Sequence, residues 1–317
     1  KGDVRNIDDW QKALVNQHII VHLAAETGTG QSMYEISKYV GTNISGTAAM
    51  LDVLSNTSHN VQKVIVASSR AIYGEGKYFC SIHKEVFPLQ RLEENMSKGD
   101  FNSKCPKCNG ILSLMATDEL SMIHPTSIYG ITKQNQEQIV LLTCGNLGIP
   151  AVSFRYQNVY GPGQSLLNPY TGILSIFSTQ ILNKNSINIF EDGKESRDFV
   201  YIEDVVSATV LGIEKDEANG CVYNVGSGIP TSVEKVAKDL MQKYKEEVEI
   251  IVSGNYRIGD IRHNYADLTN ISKLGFQPTV TFEEGISNFV EWASSQNIVV
   301  DRYFNSVQEL KDKGLYK

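Results

Sequence analysis

Apolar residues gather along this chain in short unbroken runs, separated by longer stretches in which they recur every three or four positions. His18–Ala25 (HIIVHLAA) and Val61–Ser69 (VQKVIVASS) are runs rich in β-branched residues and predict buried strands. Met33–Asn56 and Ser127–Leu147 carry helical spacing, and Ile149–Tyr156 reads as a further strand. A helix over Glu203–Lys215 precedes a strand at Cys221–Val225. Strands that alternate with helices in this way predict an α/β protein whose parallel sheet is covered on both faces.

Two regions break the rhythm. Glu75–Ile123 is long and polar and holds three of the five cysteines, so it reads as an insert. Residues 161–197 and 226–317 have mixed character and predict a smaller α/β lobe. Residues 1–160 and 198–225 then form the main sheet layer. No internal repeat or low-complexity segment is visible.

With 317 residues and 41% hydrophobic content, the chain is long enough to bury a sizeable core. The net charge of −7 supplies no broad positive field, which speaks against a nucleic-acid partner. No apolar run approaches the roughly 18 residues needed to span a bilayer, so no membrane partner is expected. No signal peptide shows at Lys1–Trp10. Five unevenly spaced cysteines are too few for a disulfide scaffold and fit a reducing cytoplasm.

The candidate chemistry lies in a tyrosine with a lysine four residues later. On a helix this spacing puts both side chains on one face. A free phenol has a pKa near 10 and is a poor base at neutral pH, and a nearby ammonium lowers it. The phenolate can then take a proton from an alcohol while a hydride leaves for a nicotinamide. The pattern occurs three times, at Tyr34/Lys38, Tyr73/Lys77 and Tyr129/Lys133, as chance permits with 15 tyrosines. Context separates them. Tyr129 opens a helix just after His124–Pro125, and Ser69 ends a buried parallel strand, where open α/β sheets place ligands. Tyr73 and Lys77 lie in a loop with Gly74 and Gly76, and no strand-end serine accompanies Tyr34 and Lys38.

From these residues the chain resembles the extended short-chain dehydrogenase/reductases of the NAD-dependent epimerase/dehydratase family, nearly end to end. SSRAIYG at Ser68–Gly74 and YGITK at Tyr129–Lys133 resemble the family's active-site segments, which implies Ser69, Tyr129 and Lys133 as catalytic residues. The resemblance implies a Rossmann-like doubly wound sheet that binds NAD through Asp3, Val4, Leu23, Ala24, Ala25, Asn43, Tyr129, Lys133 and Tyr156. It implies a nucleotide-diphosphate sugar as substrate, met by Asn158, Asn168, Arg197 and Arg257. Asn224 in YNVGSG corresponds to a structural position. Family members often dimerise through two helices, here Met33–Asn56 and Ser127–Leu147, so a homodimer is expected.

One departure stands at the front. The family opens with a strand, a G-x-x-G-x-x-G loop and a helix, whose glycines admit the pyrophosphate. Gly28 and Gly30 form G-x-G, but position 33 is Met, and this loop follows the family's fourth strand. Gly28–Ser32 is therefore expected beside the substrate. Two βα units of roughly 50–60 residues would normally precede it. Without them the remaining strands would leave unpaired edges within a core. The expectation is an N-terminally truncated sheet from a longer chain; the alternative is a degenerate, noncatalytic NAD-binding member.

The insert has its own chemistry. Cys80 and His83 form C-x2-H, and Cys105 and Cys108 form C-x2-C, a spacing of two knuckles that suits one structural zinc. A redox C-x-x-C is the rival reading. Cys144 and Cys221 are expected in the core.

The family's dehydratases carry an Asp–Glu pair directly after the catalytic Ser/Thr. Here those positions hold Arg70 and Ala71, which lack a proton shuttle, so the resemblance implies 4-epimerisation through a transient 4-keto sugar. GTGQSMYEI, the two-knuckle insert and RYQNVYGPGQSLLNPY resemble the members acting on a dTDP-deoxyhexose. UDP-hexose and UDP-uronate epimerases are the alternatives.

Overall fold

Ile19–His22, Lys63–Ser69, Ala151–Tyr156 and Val222–Val225 pair in that order as four parallel strands of one sheet in the computed structural model, which describes residues 1–170, 172–297 and 300–317. The central strand Lys63–Ser69 is buried at every position, as expected where helices cover both faces. One face packs Met50, Leu51, Leu54 and Val140 from the helices Gly46–Asn56 and Ile128–Leu147. The other packs Val205 and Ala208 from the helix Ile202–Glu214. The α/β class and the parallel sheet agree with the sequence reading.

Three details differ from it. The segment expected as one helix over Met33–Asn56 is broken into Ile36–Tyr39, a wide π-type turn at Val40–Ser45, and Gly46–Asn56, and the loop before it holds a helical turn at Thr29–Ser32. The wide turn directs Asn43 inward, where it is fully buried. The strand Ser196–Tyr201 begins the stretch expected to return to the main sheet. Instead it pairs with Pro230–Ser232, His263–Asn264 and Asn158–Tyr160 in a second sheet. Only the following helix and Val222–Val225 rejoin the first layer. A short helix at Ile7–Ala13, capped by Asn6, was not anticipated.

The smaller lobe has its own core, with Phe177, Ile187, Phe199, Leu240 and Phe289 among its buried side chains. The insert forms a small antiparallel sheet, Lys84–Val86, Tyr78–Cys80 and Ser113–Leu114. Its two ends meet, since Met115 N donates to Lys77 O at 3.1 Å. Among the described residues no helix is long and apolar enough to cross a membrane.

Candidate active site

A cavity of about 690 Å³ opens between the two lobes, within the range of small-molecule sites. It lies beyond the carboxyl ends of the parallel strands, where Ser69 and Tyr156 pair as neighbours. The structure brings Ser69, Tyr129 and Lys133 together on its wall with Leu23, Ala25 and Tyr156. Asn158, Arg197 and Arg257 line it as well.

Tyr129 is placed by its helix. Ser127 caps that helix, accepting from Gly130 N at 3.1 Å, and Ser32 Oγ accepts from Tyr129 N at 3.0 Å. Gly130 lets the helix approach the active-site strand: a Cβ there would lie 2.6 Å from Ala71 O. Burial raises the Tyr129 phenol above its ordinary pKa, while a hydrogen bond with Ser69 and the charge of Arg70 pull it down.

Lys133, expected to act on the phenol, has hydrogen-bond partners of its own. Lys133 Nζ donates to Ala67 O at 2.7 Å and Gln136 Oε1 at 2.9 Å. Burial brings its own pKa down to about 7. The i, i+4 spacing put both residues on one helix face but could not show that a backbone carbonyl and a glutamine hold the amine.

The other two Tyr/Lys pairs have structural partners. Tyr73 donates to Asn224 Oδ1 at 2.8 Å, consistent with a structural Asn224, and Lys77 pairs with Asp118. Lys38 pairs with Glu35, and Tyr34 packs beside Val307 and Leu310.

Asp3, Val4, Ala24, Asn43 and Asn168 stand outside the lining of the cavity. Asp3 is exposed and paired with Arg5, which holds its carboxyl at about 2. Val4 O accepts from Trp10 Nε1 at 2.7 Å. The Asn43 amide is engaged on all sides: it accepts from Glu26 N at 2.8 Å and donates to Glu26 O at 3.0 Å and Thr132 Oγ1 at 2.9 Å. It ties the segment after the first strand to the Tyr129 helix. Asn168 Oδ1 caps its own turn, accepting from Tyr170 N at 2.9 Å.

Arg70 is a site residue that sequence reasoning noted only for what it replaces. Its Nε donates to Asn158 Oδ1 at 2.8 Å, and its Nη1 is buried with no partner among the described residues. Burial and the charge of Arg197 bring it down to about 9. A cation directly after a strand-end serine was the available signal. Glu195 also lines the cavity, and burial pushes its carboxyl up to about 7; no role for it follows from the geometry.

Behind Lys133 lies a buried polar network. His22 Nε2 is 3.0 Å from Gln136 Nε2 and 2.8 Å from Thr47 Oγ1. Burial and the Lys133 charge bring the imidazole down to about 4. The folded state therefore keeps His22 neutral where an unfolded chain takes up a proton. Its contribution is complete above about pH 6.5 and is lost as pH falls toward 4, on the order of 3 kcal/mol in all. A His22→Gln variant should show a flatter fall in unfolding free energy across that window. Parallel curves for variant and wild type would refute this assignment.

The model of the NAD dependent epimerase/dehydratase family matches residues 1–95 and 106–226. The chain is 35% identical over 298 residues to the dTDP-L-rhamnose 4-epimerase of Burkholderia thailandensis, covering 93% of this chain and 80% of that one. It resembles the structure of UDP-glucose 4-epimerase from Thermotoga maritima with UDP-glucose. There the TM-score is 0.72 at 28% identity, over 92% of this chain and 82% of that one. It also resembles UDP-glucuronic acid 4-epimerase from Bacillus cereus in complex with UDP-glucuronic acid and NAD. There the TM-score is 0.73 at 25% identity, over 92% of this chain and 80% of that one.

Proposed function

This chain belongs to the NAD dependent epimerase/dehydratase family, and we propose that it inverts C4 of a nucleotide-diphosphate sugar, converting dTDP-L-rhamnose to dTDP-6-deoxy-L-talose. The observation that carries the reaction class is the meeting of Ser69, Tyr129 and Lys133 on one cavity wall. The relatives support the rest. The 35% identical relative is named for dTDP-L-rhamnose, and the Bacillus cereus relative holds NAD.

The cavity fits NAD in kind. It presents a buried ammonium at Lys133, a phenol at Tyr129 and the apolar surfaces of Leu23 and Ala25 on one side. These residues and Tyr156 would hold the nicotinamide end. Bound NAD supplies a hydride acceptor that returns the same hydride within one turnover.

The chain's own groups handle the proton and the sugar. Tyr129 takes the C4 hydroxyl proton and later gives it back, and Ser69 orients that oxygen. The phenol's raised pKa suits the return step, in which it acts as the acid; Ser69 and Arg70 oppose the rise and favour the outward step. Asn158, Arg197 and Arg257, joined by Arg70, present donors suited to the diphosphate while the 4-keto sugar turns. Anchoring the diphosphate leaves the hexose as the part free to present its other face.

Full-length protein incubated with NAD and dTDP-L-rhamnose should form the C4 epimer, followed by proton NMR. UDP-glucose and UDP-glucuronic acid serve as competing substrates. Turnover of a UDP-sugar with none of the dTDP-sugar would overturn the substrate assignment and keep the reaction class. A 4-keto-6-deoxy product formed from UDP-glucose by loss of water would overturn the class itself.

A further inference from the structure

Cys80, His83, Cys105 and Cys108 converge on one point of the insert, remote in chemistry from the cavity. Their ligand atoms all lie within 4.8 Å of one another. Cys80 Sγ is 3.8 Å from Cys108 Sγ and 3.7 Å from His83 Nδ1, and Cys105 Sγ is 3.5 Å from His83 Nδ1. A tetrahedral zinc ion with bonds of about 2.3 Å to sulfur and 2.0–2.1 Å to nitrogen places its ligands about 3.8 Å apart for two sulfurs and about 3.5 Å for sulfur and nitrogen. Those three separations are close to these edges, and the whole set lies within 4.8 Å. A disulfide would need sulfurs at about 2.05 Å.

The backbone is built for the same purpose. Cys80 ends one strand, and His83 sits in the turn before Lys84, whose φ of 61° lets the chain reverse. Asn109 N donates to Cys105 O at 2.8 Å and Cys105 N to Gly110 O at 3.0 Å, closing the second turn. A Cβ at Gly110 would lie 3.3 Å from Cys108 Sγ, so a side chain there would crowd a ligand.

The insert also needs a staple. Its buried apolar cluster consists of Tyr78, Cys80, Val86 and Cys105, with Leu112 and Leu114 partly covered. So small a core cannot by itself order the turns that carry these four residues, although Phe101 packs on Tyr256 and Arg91 ties the segment to the second lobe. No residue lining the catalytic cavity falls between Ala71 and Ser127 in the chain. The family match also skips residues 96–105, which end at the third ligand.

We propose that Cys80, His83, Cys105 and Cys108 bind one zinc ion in a closed Cys3His site whose role is to fold the insert. The ion takes no part in catalysis, having four protein ligands and no open position. The proposal stands apart from the substrate reading, because its test does not depend on turnover.

Full-length protein purified without chelator should contain about one zinc per chain by elemental analysis. An organomercurial that blocks thiols should release that zinc in step with thiol titration, read with a colorimetric indicator. Cobalt loaded in its place should give the visible bands of tetrahedral thiolate coordination. Cys105→Ser should lose the metal, while Cys221→Ser, which alters a cysteine outside the cluster, should keep it. If Cys105→Ser does not fold, stripping wild-type protein gives the same answer: proteolysis should newly cut between Cys80 and Leu112. Metal content below about 0.2 per chain, or a cleavage map unchanged by stripping, overturns the site. Loss of metal from Cys221→Ser overturns the ligand set.

Discussion

Replacing Tyr129 by Phe should lower kcat at least about 10³-fold, in the range that positioned acid–base groups supply, with little change in stability. Phe keeps the ring, its edge contact with Tyr39 and the helix start held by Ser127 and Ser32. Only the hydroxyl that Ser69 engages is removed. Lys133 is bound to Ala67 O and Gln136, and Arg70 to Asn158. The comparison is of initial rates at saturating substrate, alongside urea unfolding curves. A variant within tenfold of wild type would remove Tyr129 from the chemistry.

The largest stability effect is expected at Arg91. Its Nε meets Glu75 Oε1 at 3.0 Å, and its Nη1 meets Glu191 Oε1 at 2.8 Å, with all three side chains buried. The remaining N–H groups donate to Phe101 O and Asp260 O. Arg262 completes the set, with its backbone N on Glu75 Oε2 and its Nη1 on Glu191 Oε2. These ion pairs connect the insert to the lobe that carries Arg257 and Glu195. Arg91→Leu removes the guanidinium paired with buried Glu75 and leaves Glu191 to Arg262, which also pairs with Asp192. Removing one partner of such a group costs about 3–5 kcal/mol. The double variant Arg91→Leu/Glu75→Leu should recover much of that loss, because it also removes one stranded charge. A loss below about 1 kcal/mol in urea unfolding would show the network is not required.

Most of the framework could be read before any coordinates, because its signals are local. A fully buried parallel strand leaves an unbroken run such as Val61–Ser69, and a capped helix leaves a signature such as Ser127 before Ile128. The order of strand, serine, tyrosine and lysine pointed to three residues that line one cavity. The clustering of Cys80, His83, Cys105 and Cys108 was likewise legible, since two residues with two between them share one turn. What escaped was whatever depends on partners distant in sequence. The bonds of the Asn43 amide to Glu26 and Thr132 could not be read from the sequence. The spacing of Tyr129 and Lys133 gives a shared helix face, but not the bonds from Lys133 to Ala67 O and Gln136. Ser196–Tyr201 has the composition of a main-sheet strand, but its partners are Thr231, His263 and Val159 on later and earlier segments. Arg70 is an ordinary charged residue in sequence, and only burial beside Asn158 and Arg197 marks it.

The most direct test of the central claim follows the hydrogen on C4. With dTDP-L-rhamnose deuterated at C4, a cavity that sends this hydrogen out and back without exchange gives an epimer that retains the label. The same reaction run in deuterium oxide with unlabelled sugar should place no deuterium at C4. Washout of the label into water, with deuterium entering from solvent, would contradict a reaction in which Tyr129 handles only the hydroxyl proton.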